Sequence, residues 1–174
     1  SVAIQMRSSH QIVVPAASST VARQIMALPS WRQAESVGVQ LLAPTQPNEL
    51  SASYQAMQAA DLALLASGTA TLEAALHGLP MVIAYRVPAL TYWLMKRKAL
   101  VQRIGLPNLL LQQQDLVPEF IQQDCEPAPL IGALRSLADD QPRQAQMRQA
   151  FADLHDQLAQ GCAGRVAQAL GAML

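Results

Sequence analysis

The residues best suited to chemistry lie in one short run, Ser67-Gly-Thr-Ala-Thr-Leu-Glu73. Just before it, Asp61-Leu-Ala-Leu-Leu-Ala66 is an apolar segment of strand length. A strand there delivers the chain to the carboxyl edge of a sheet, where open α/β folds bind ligands. Ser67 supplies a hydroxyl, Gly68 lets backbone approach a ligand closely, and Thr69 opens a helix. The free N–H groups of that first turn and the positive helix end form an anion site suited to a diphosphate. Glu73 follows Thr69 by one turn on the same face. Its carboxylate is suited to accept hydrogen bonds from both hydroxyls of a ribose. The same run also reads as an ordinary helix cap, with an acidic residue favouring the dipole. The residues alone leave both readings open.

The elements that must position this run alternate. Residues 1–10 read as the end of a helix, and 11–15 as a short buried strand closed by Pro15. Val21, Ile25 and Leu28 fall at helical spacing. A second strand is expected over 37–42, then a loop at Pro44 and Pro47, then a helix over 49–60 capped by Asn48. After the strand at 61–66, a helix over 70–77 stops at Gly78, where a left-handed residue is easiest. Another buried strand covers 79–84. Beyond Pro88 the pattern turns helical over 89–101, passes a loop at Leu106-Pro107-Asn108, and stays helical to the end. Strands alternating with helices specify an α/β fold, a Rossmann-like parallel sheet with helices on both faces. Residues 1–126 read as its nucleotide-binding part and 127–174 as carboxy-terminal helices.

Composition narrows the class. Hydrophobic residues make up 51% of the 174, but aromatic residues only 4%, so the core is built from aliphatic side chains and methionine. Lys+Arg and Asp+Glu are equal at 12 each, which argues against a general nucleic-acid binder. The charges are unevenly placed, however. No Asp or Glu occurs over 74–114, whereas Arg86, Lys96, Arg97, Lys98 and Arg103 all do. That imbalance suits phosphate groups, on a nucleotide or on anionic lipid. Cys125 and Cys162 are not spaced as a metal or redox pair, and read as reduced thiols. No signal peptide and no apolar run of membrane-spanning length is visible, so a soluble or peripheral protein is expected. The segment 89–101 pairs Leu90, Tyr92, Trp93, Leu94 and Met95 with Lys96–Lys98. It reads either as a membrane-surface helix or as a packed helix with a solvated basic end. His10 and His77 read as surface residues, and His155 as a packing or capping histidine.

Several motifs in fixed order add a resemblance. Ser67-Gly-Thr-Ala-Thr-Leu-Glu73 is followed by Pro80-Met-Val-Ile-Ala-Tyr-Arg86, Thr91-Tyr-Trp-Leu-Met-Lys-Arg97 and Leu106-Pro-Asn-Leu-Leu110. Pro118-Glu-Phe-Ile-Gln122-Gln-Asp-Cys-Glu-Pro127 and Phe151-Ala-Asp-Leu-His155 complete the series. From about residue 11 onward the chain resembles the donor-binding half of the lipid-A-disaccharide synthase family. That resemblance implies a GT-B arrangement, of which this chain holds the donor domain without its first strand. It implies joining UDP-2,3-diacylglucosamine to 2,3-diacylglucosamine 1-phosphate with inversion, without metal or cofactor, and release of UDP. It also implies a cytoplasmic enzyme peripheral on the inner face of the inner membrane of a Gram-negative bacterium.

Carried onto this sequence, the family's site places Ser67, Gly68 and Thr69 on the diphosphate and Glu73 on the ribose. Asn108 would reach the donor sugar or its phosphates, or else brace its own loop. Arg86 would pair with a phosphate or form a structural ion pair. Glu119 and Gln122, expected one helical turn apart, would line the donor site, or serve as a helix cap and a surface amide. The family's amino-terminal domain, with the acceptor site and the expected catalytic base, has no counterpart here, nor has a Gly-Ser-Arg-type turn. No base is therefore assigned, and the chain alone is expected to be inactive. The resemblance also implies exchange of the carboxy-terminal region between subunits, and a homodimer of that kind would bury the apolar faces of the late helices. A UDP-sugar 2-epimerase and a non-catalytic nucleotide-binding or dimerisation module are the alternatives.

Overall fold

The computed structural model describes residues 2–7, 9–44, 51–66, 68–88, 104–111 and 115–159. The chain opens with α1 (Val2–Met6), β1 (Val13–Pro15), α2 (Ser19–Met26), α3 (Pro29–Ser36), β2 (Gln40–Leu42) and α4 (Ala52–Ala59). It continues with β3 (Ala63–Ala66), α5 (Thr69–Leu76), β4 (Met81–Tyr85), α6 (Leu106–Leu110) and β5 (Glu119–Ile121). A 3-10 turn (Gln122–Asp124) leads to α7 (Pro127–Asp139) and α8 (Gln141–Ala159). All ladders among the described residues are parallel, as the alternation predicts. They fall into two sheets, β1-β2 and β3-β4-β5. A doubly wound sheet grows outward in two halves from a central strand. Parallel ladders flanked by helices are what a Rossmann-like domain shows.

Local chemistry sets the boundaries. Ser18 caps α2 by accepting from the Val21 N–H at 3.2 Å, and Ser51 caps α4 by accepting from Tyr54 N–H at 3.1 Å. The helix expected from residue 49 thus starts at Ala52; Asn48, its expected cap, lies outside the described residues. α3 was not expected. Pro29 stands in its first turn, where the missing N–H is no loss, and Trp31 is buried beneath it. It consumes Ser36 and pushes the strand expected over 37–42 back to Gln40–Leu42. α3 and α5 end alike. Gly38 (φ +87°) and Gly78 (φ +65°) are left-handed, with the next residue's N–H bonded five residues back, Val39 to Ala34 and Leu79 to Ala74, both at 3.0 Å. The helix 89–101 and Cys162 lie outside the described residues.

The core centres on β4, whose Met81, Val82 and Ile83 are fully buried. α7 packs on β4, and α8 packs on α7 and α5. Leu130, Ile131, Leu134 and Leu137 from α7 join Met147, Ala150, Phe151 and Leu154 from α8 in one cluster with Ala74, Ala75 and β4. Up to Ala159, then, most of the apolar residues of the late helices are covered within the chain itself, with Leu158 left half-exposed.

Candidate functional site

The carboxyl ends of β3, β4 and β5 form one edge, and the residues singled out from the sequence lie along or near it. β3 ends at Ala66, Gly68 follows, and α5 begins at Thr69. Gly68 has φ +138° and ψ −166°, a conformation open essentially to glycine alone. Having no side chain, it cannot cap the helix, and the first turn of α5 presents its N–H groups at this edge. A Cβ at Gly68 would meet nothing within 4 Å, which leaves room for a ligand against the backbone. Thr71, fully buried, holds the turn from beneath. Its Oγ1 donates to Gly68 O at 2.7 Å and its N–H to the same oxygen at 3.1 Å. Thr71 is not among the residues expected from the sequence, although it stands three residues after the cap. Thr69 and Glu73 are exposed on α5. Ser67 lies outside the described residues.

Arg86 directly follows β4. Its Nη2 lies 2.6 Å from Glu126 Oε1, and its Nε donates to Gln122 O at 3.3 Å. Gln122 in turn clasps the next residue: Val87 N–H donates to its Oε1 at 2.7 Å, and its Nε2 donates to Val87 O at 3.0 Å. This side-chain pair extends the β4–β5 ladder by one rung. It holds Gln122 at φ +54°, a left-handed backbone rare outside glycine. Glu119 and Gln122 are therefore not a turn apart on a helix. Glu119 begins a strand paired with β4, and Gln122 follows its end. Pro118 accounts for the strand's start, with its carbonyl accepting from Ile83 N–H at 2.9 Å while its own nitrogen has nothing to donate.

Asn108 belongs to a short helix rather than a loop, with Pro107 in that helix's first turn. Its side chain is buried and bridges two segments. Oδ1 accepts from Val117 N–H at 2.9 Å, and Nδ2 donates to Val117 O at 2.8 Å and to Glu119 Oε1 at 2.7 Å. Glu119 does a cap's work for the same helix, accepting from Ile104 N–H at 2.9 Å and Gly105 N–H at 3.2 Å. α6, tied down in this way, packs against α5. Asn108 and Glu119 thus come together, as do Arg86 and Gln122. Among the described residues no hydrogen bond joins either pair to Gly68, Thr69 or Glu73.

Gly105 gives this corner its room. A Cβ there would lie 2.5 Å from Ile83 Cδ1 and 2.8 Å from Glu119 Oε1. Ile83 is fully buried and Glu119 is held by three donors, so neither yields easily. Gly105→Ala is expected to cost about 1–3 kcal/mol, the range for overpacking. Urea unfolding checks this, and an alanine variant as stable as the parent would contradict the close seating.

The remaining candidates are peripheral to this edge. His77 packs edge-on against Tyr54, with ring centroids 4.7 Å apart. His10 is hydrogen-bonded to Ser9 at 2.7 Å, and His155 is exposed. A cavity of about 450 Å³ is lined by Met57, His77, Gly78, Pro80 and Arg148. It lies at the opposite, amino edge of β3 and β4, away from Gly68.

Comparison with known proteins accounts for nearly the whole chain. A family model described as lipid-A-disaccharide synthetase matches residues 2–170. A lipid-A-disaccharide synthase of Thiobacillus denitrificans is 48% identical over 122 residues, covering 70% of this chain and 32% of the relative. One from Chromohalobacter salexigens is 40% identical over 169 residues, 94% of this chain and 40% of the relative. One from Alkalilimnicola ehrlichii is 48% identical over 116 residues, 67% of this chain and 30% of the relative. The chain thus spans about a third of the length of the curated relatives it matches, and it belongs to the lipid-A-disaccharide synthase family.

Proposed function

We propose that this chain is the donor-nucleotide-binding part of an inverting glycosyltransferase. The whole protein would join UDP-2,3-diacylglucosamine to 2,3-diacylglucosamine 1-phosphate and release UDP. The observation that carries this reading is the start of α5 behind a glycine N-cap, at the carboxyl edge of a parallel sheet in a chain of this family. In the reaction the acceptor hydroxyl oxygen forms a bond to the donor anomeric carbon as the bond to the diphosphate oxygen breaks. The hydroxyl proton passes to a base, and no residue of this chain is assigned that role. The part of this chain is to receive the departing diphosphate. Free N–H groups and the positive end of α5 stabilise negative charge as it accumulates there.

Glu73, one turn along α5, is the proposed ribose acceptor, and Thr69 the proposed hydroxyl contact to phosphate. Ser67 and Arg86 are proposed to complete the phosphate contacts. Asn108, Glu119 and Gln122 have most of their hydrogen-bonding capacity engaged within the chain, which supports a role in shaping the donor site. Calorimetric titration with UDP tests the assignment. Thr69→Ala and Glu73→Ala are each expected to weaken binding about tenfold, the worth of one charge-assisted or well-placed hydrogen bond. Unchanged affinity in both variants, or no binding by a folded chain, would overturn it.

A homodimer through the carboxy-terminal residues and a peripheral contact with the inner membrane belong to the same proposal. Half-exposed Leu158 near the end of α8 supports the first, and the basic stretch at 96–98 supports the second. Among the described residues no helix is long and apolar enough to cross a membrane. Sedimentation equilibrium and vesicle flotation decide these two points; a monomer at all concentrations and absence from anionic vesicles would refute them.

A further inference from the structure

Arg86 comes from a stretch without acidic residues, and its carboxylate partner, Glu126, lies 40 residues further on. The pair is short, 2.6 Å, but wet, with side chains 57% and 54% exposed. An ion pair in that setting is weakly held. Glu126 is the N-cap residue of α7, yet its side chain makes no cap bond to that helix; it turns to Arg86 instead. The backbone around Arg86 is by contrast firmly placed. β4 ends one residue before it, and the Gln122 clasp grips Val87 one residue after it. Arg86 is therefore a long cation on a fixed base, restrained at its tip by a solvent-exposed carboxylate and one carbonyl.

Its location gives this a meaning. β3 and β4 are parallel neighbours with Ala66 opposite Ala84. Gly68 follows the end of β3 and Arg86 the end of β4, so both stand beyond the same carboxyl edge of two neighbouring parallel strands. A diphosphate on the first turn of α5 offers a guanidinium a more highly charged partner than one carboxylate, with bidentate geometry available.

We propose that Glu126 is a competing anion for Arg86: the guanidinium leaves Glu126 for a phosphate oxygen when a nucleoside diphosphate binds, and returns when it departs. Glu126 thereby lowers the affinity of the site and favours product release. It acts through Arg86 and touches neither donor nor product. The inference rests on the reading that the start of α5 holds the diphosphate.

The experiment is calorimetric titration with UDP, and with uridine as a probe lacking phosphate, of the parent chain, Glu126→Gln, Arg86→Gln and the double variant. Glu35→Gln, at an exposed position of α3 between β1 and β2, controls for net charge, and thermal melts confirm folding. Glu126→Gln is expected to tighten UDP about two- to fivefold, the scale of an exposed pair, and to leave uridine unchanged. Arg86→Gln is expected to weaken UDP and to abolish the effect of the second substitution. Glu126→Ala should act in the same direction as Glu126→Gln. Unchanged or weaker UDP binding in both Glu126 variants overturns the proposal, as does tightening that persists without Arg86 or that Glu35→Gln reproduces. If the parent chain binds UDP through Thr69 and Glu73 while Glu126 has no influence, only the exchange falls. If the parent chain, folded, does not bind UDP, the donor-site reading falls and the exchange with it.

Discussion

Phe151→Ala, at the largest fully buried side chain among the described residues, is expected to lower the stability of the chain by about 3–5 kcal/mol. Phe151 is fully buried on α8 and belongs to the cluster that joins both late helices to α5 and β4. Truncation removes the apolar contact and leaves a cavity the surrounding helices only partly refill. In a domain of this size each 1 kcal/mol lowers the melting temperature by roughly 2–4 °C, so the shift should be well over 5 °C. The same variant probes the relation of α7 and α8 to the sheet. If those helices belonged to a partner's core, the melting temperature would depend on protein concentration and the monomer would hardly notice the change.

Asn108→Ala is expected to cost about 2–4 kcal/mol, because it strands polar groups rather than apolar surface. Val117 would lose the partner of its N–H and one partner of its carbonyl, both inside the protein, and Glu119 would lose its shortest hydrogen bond. Asn108→Asp should be no milder, since its second oxygen would face Val117 O and the Glu119 carboxylate. Urea unfolding gives the loss in stability. UDP titration well below the midpoint asks whether α5 is displaced when its packing partner α6 loosens. An alanine variant as stable as the parent would mean that the bridge contributes nothing to folding.

Much of this was legible in the sequence where local chemistry decides the outcome. Gly78 announced the end of α5 because only glycine sits cheaply at that left-handed position. The run from Asp61 to Glu73 announced a strand, a glycine turn and a helix in that order, and the structure has them in that order. Lengths and partners were less legible. α3 is less legible: Pro29 followed by Trp31 is a fair helix start, but apolar Val37 and Val39 just beyond it also fit the beginning of a strand. β5 is three residues long, and Glu119 with Gln122 three positions later imitates a helical repeat. Only pairing with β4, more than thirty residues back in the chain, makes it a strand. The roles of Asn108 and Glu126 were illegible for the same reason. A buried amide is foreseeable from residue type, but its choice of Val117 and Glu119 is tertiary. Glu126 precedes a proline-led helix and looks like any cap until Arg86 is seen beside it.

The central claim is that a nucleoside diphosphate binds at the carboxyl edge, on the first turn of α5. The most direct test is to follow the backbone amide signals of this chain by ¹H–¹⁵N NMR during titration with UDP. The account predicts saturable shifts largest at Gly68, Thr69 and Ala70, with smaller ones at Arg86 and Val87. Shifts centred instead on Met57, His77, Gly78 and Arg148, around the cavity at the amino edge, would contradict it.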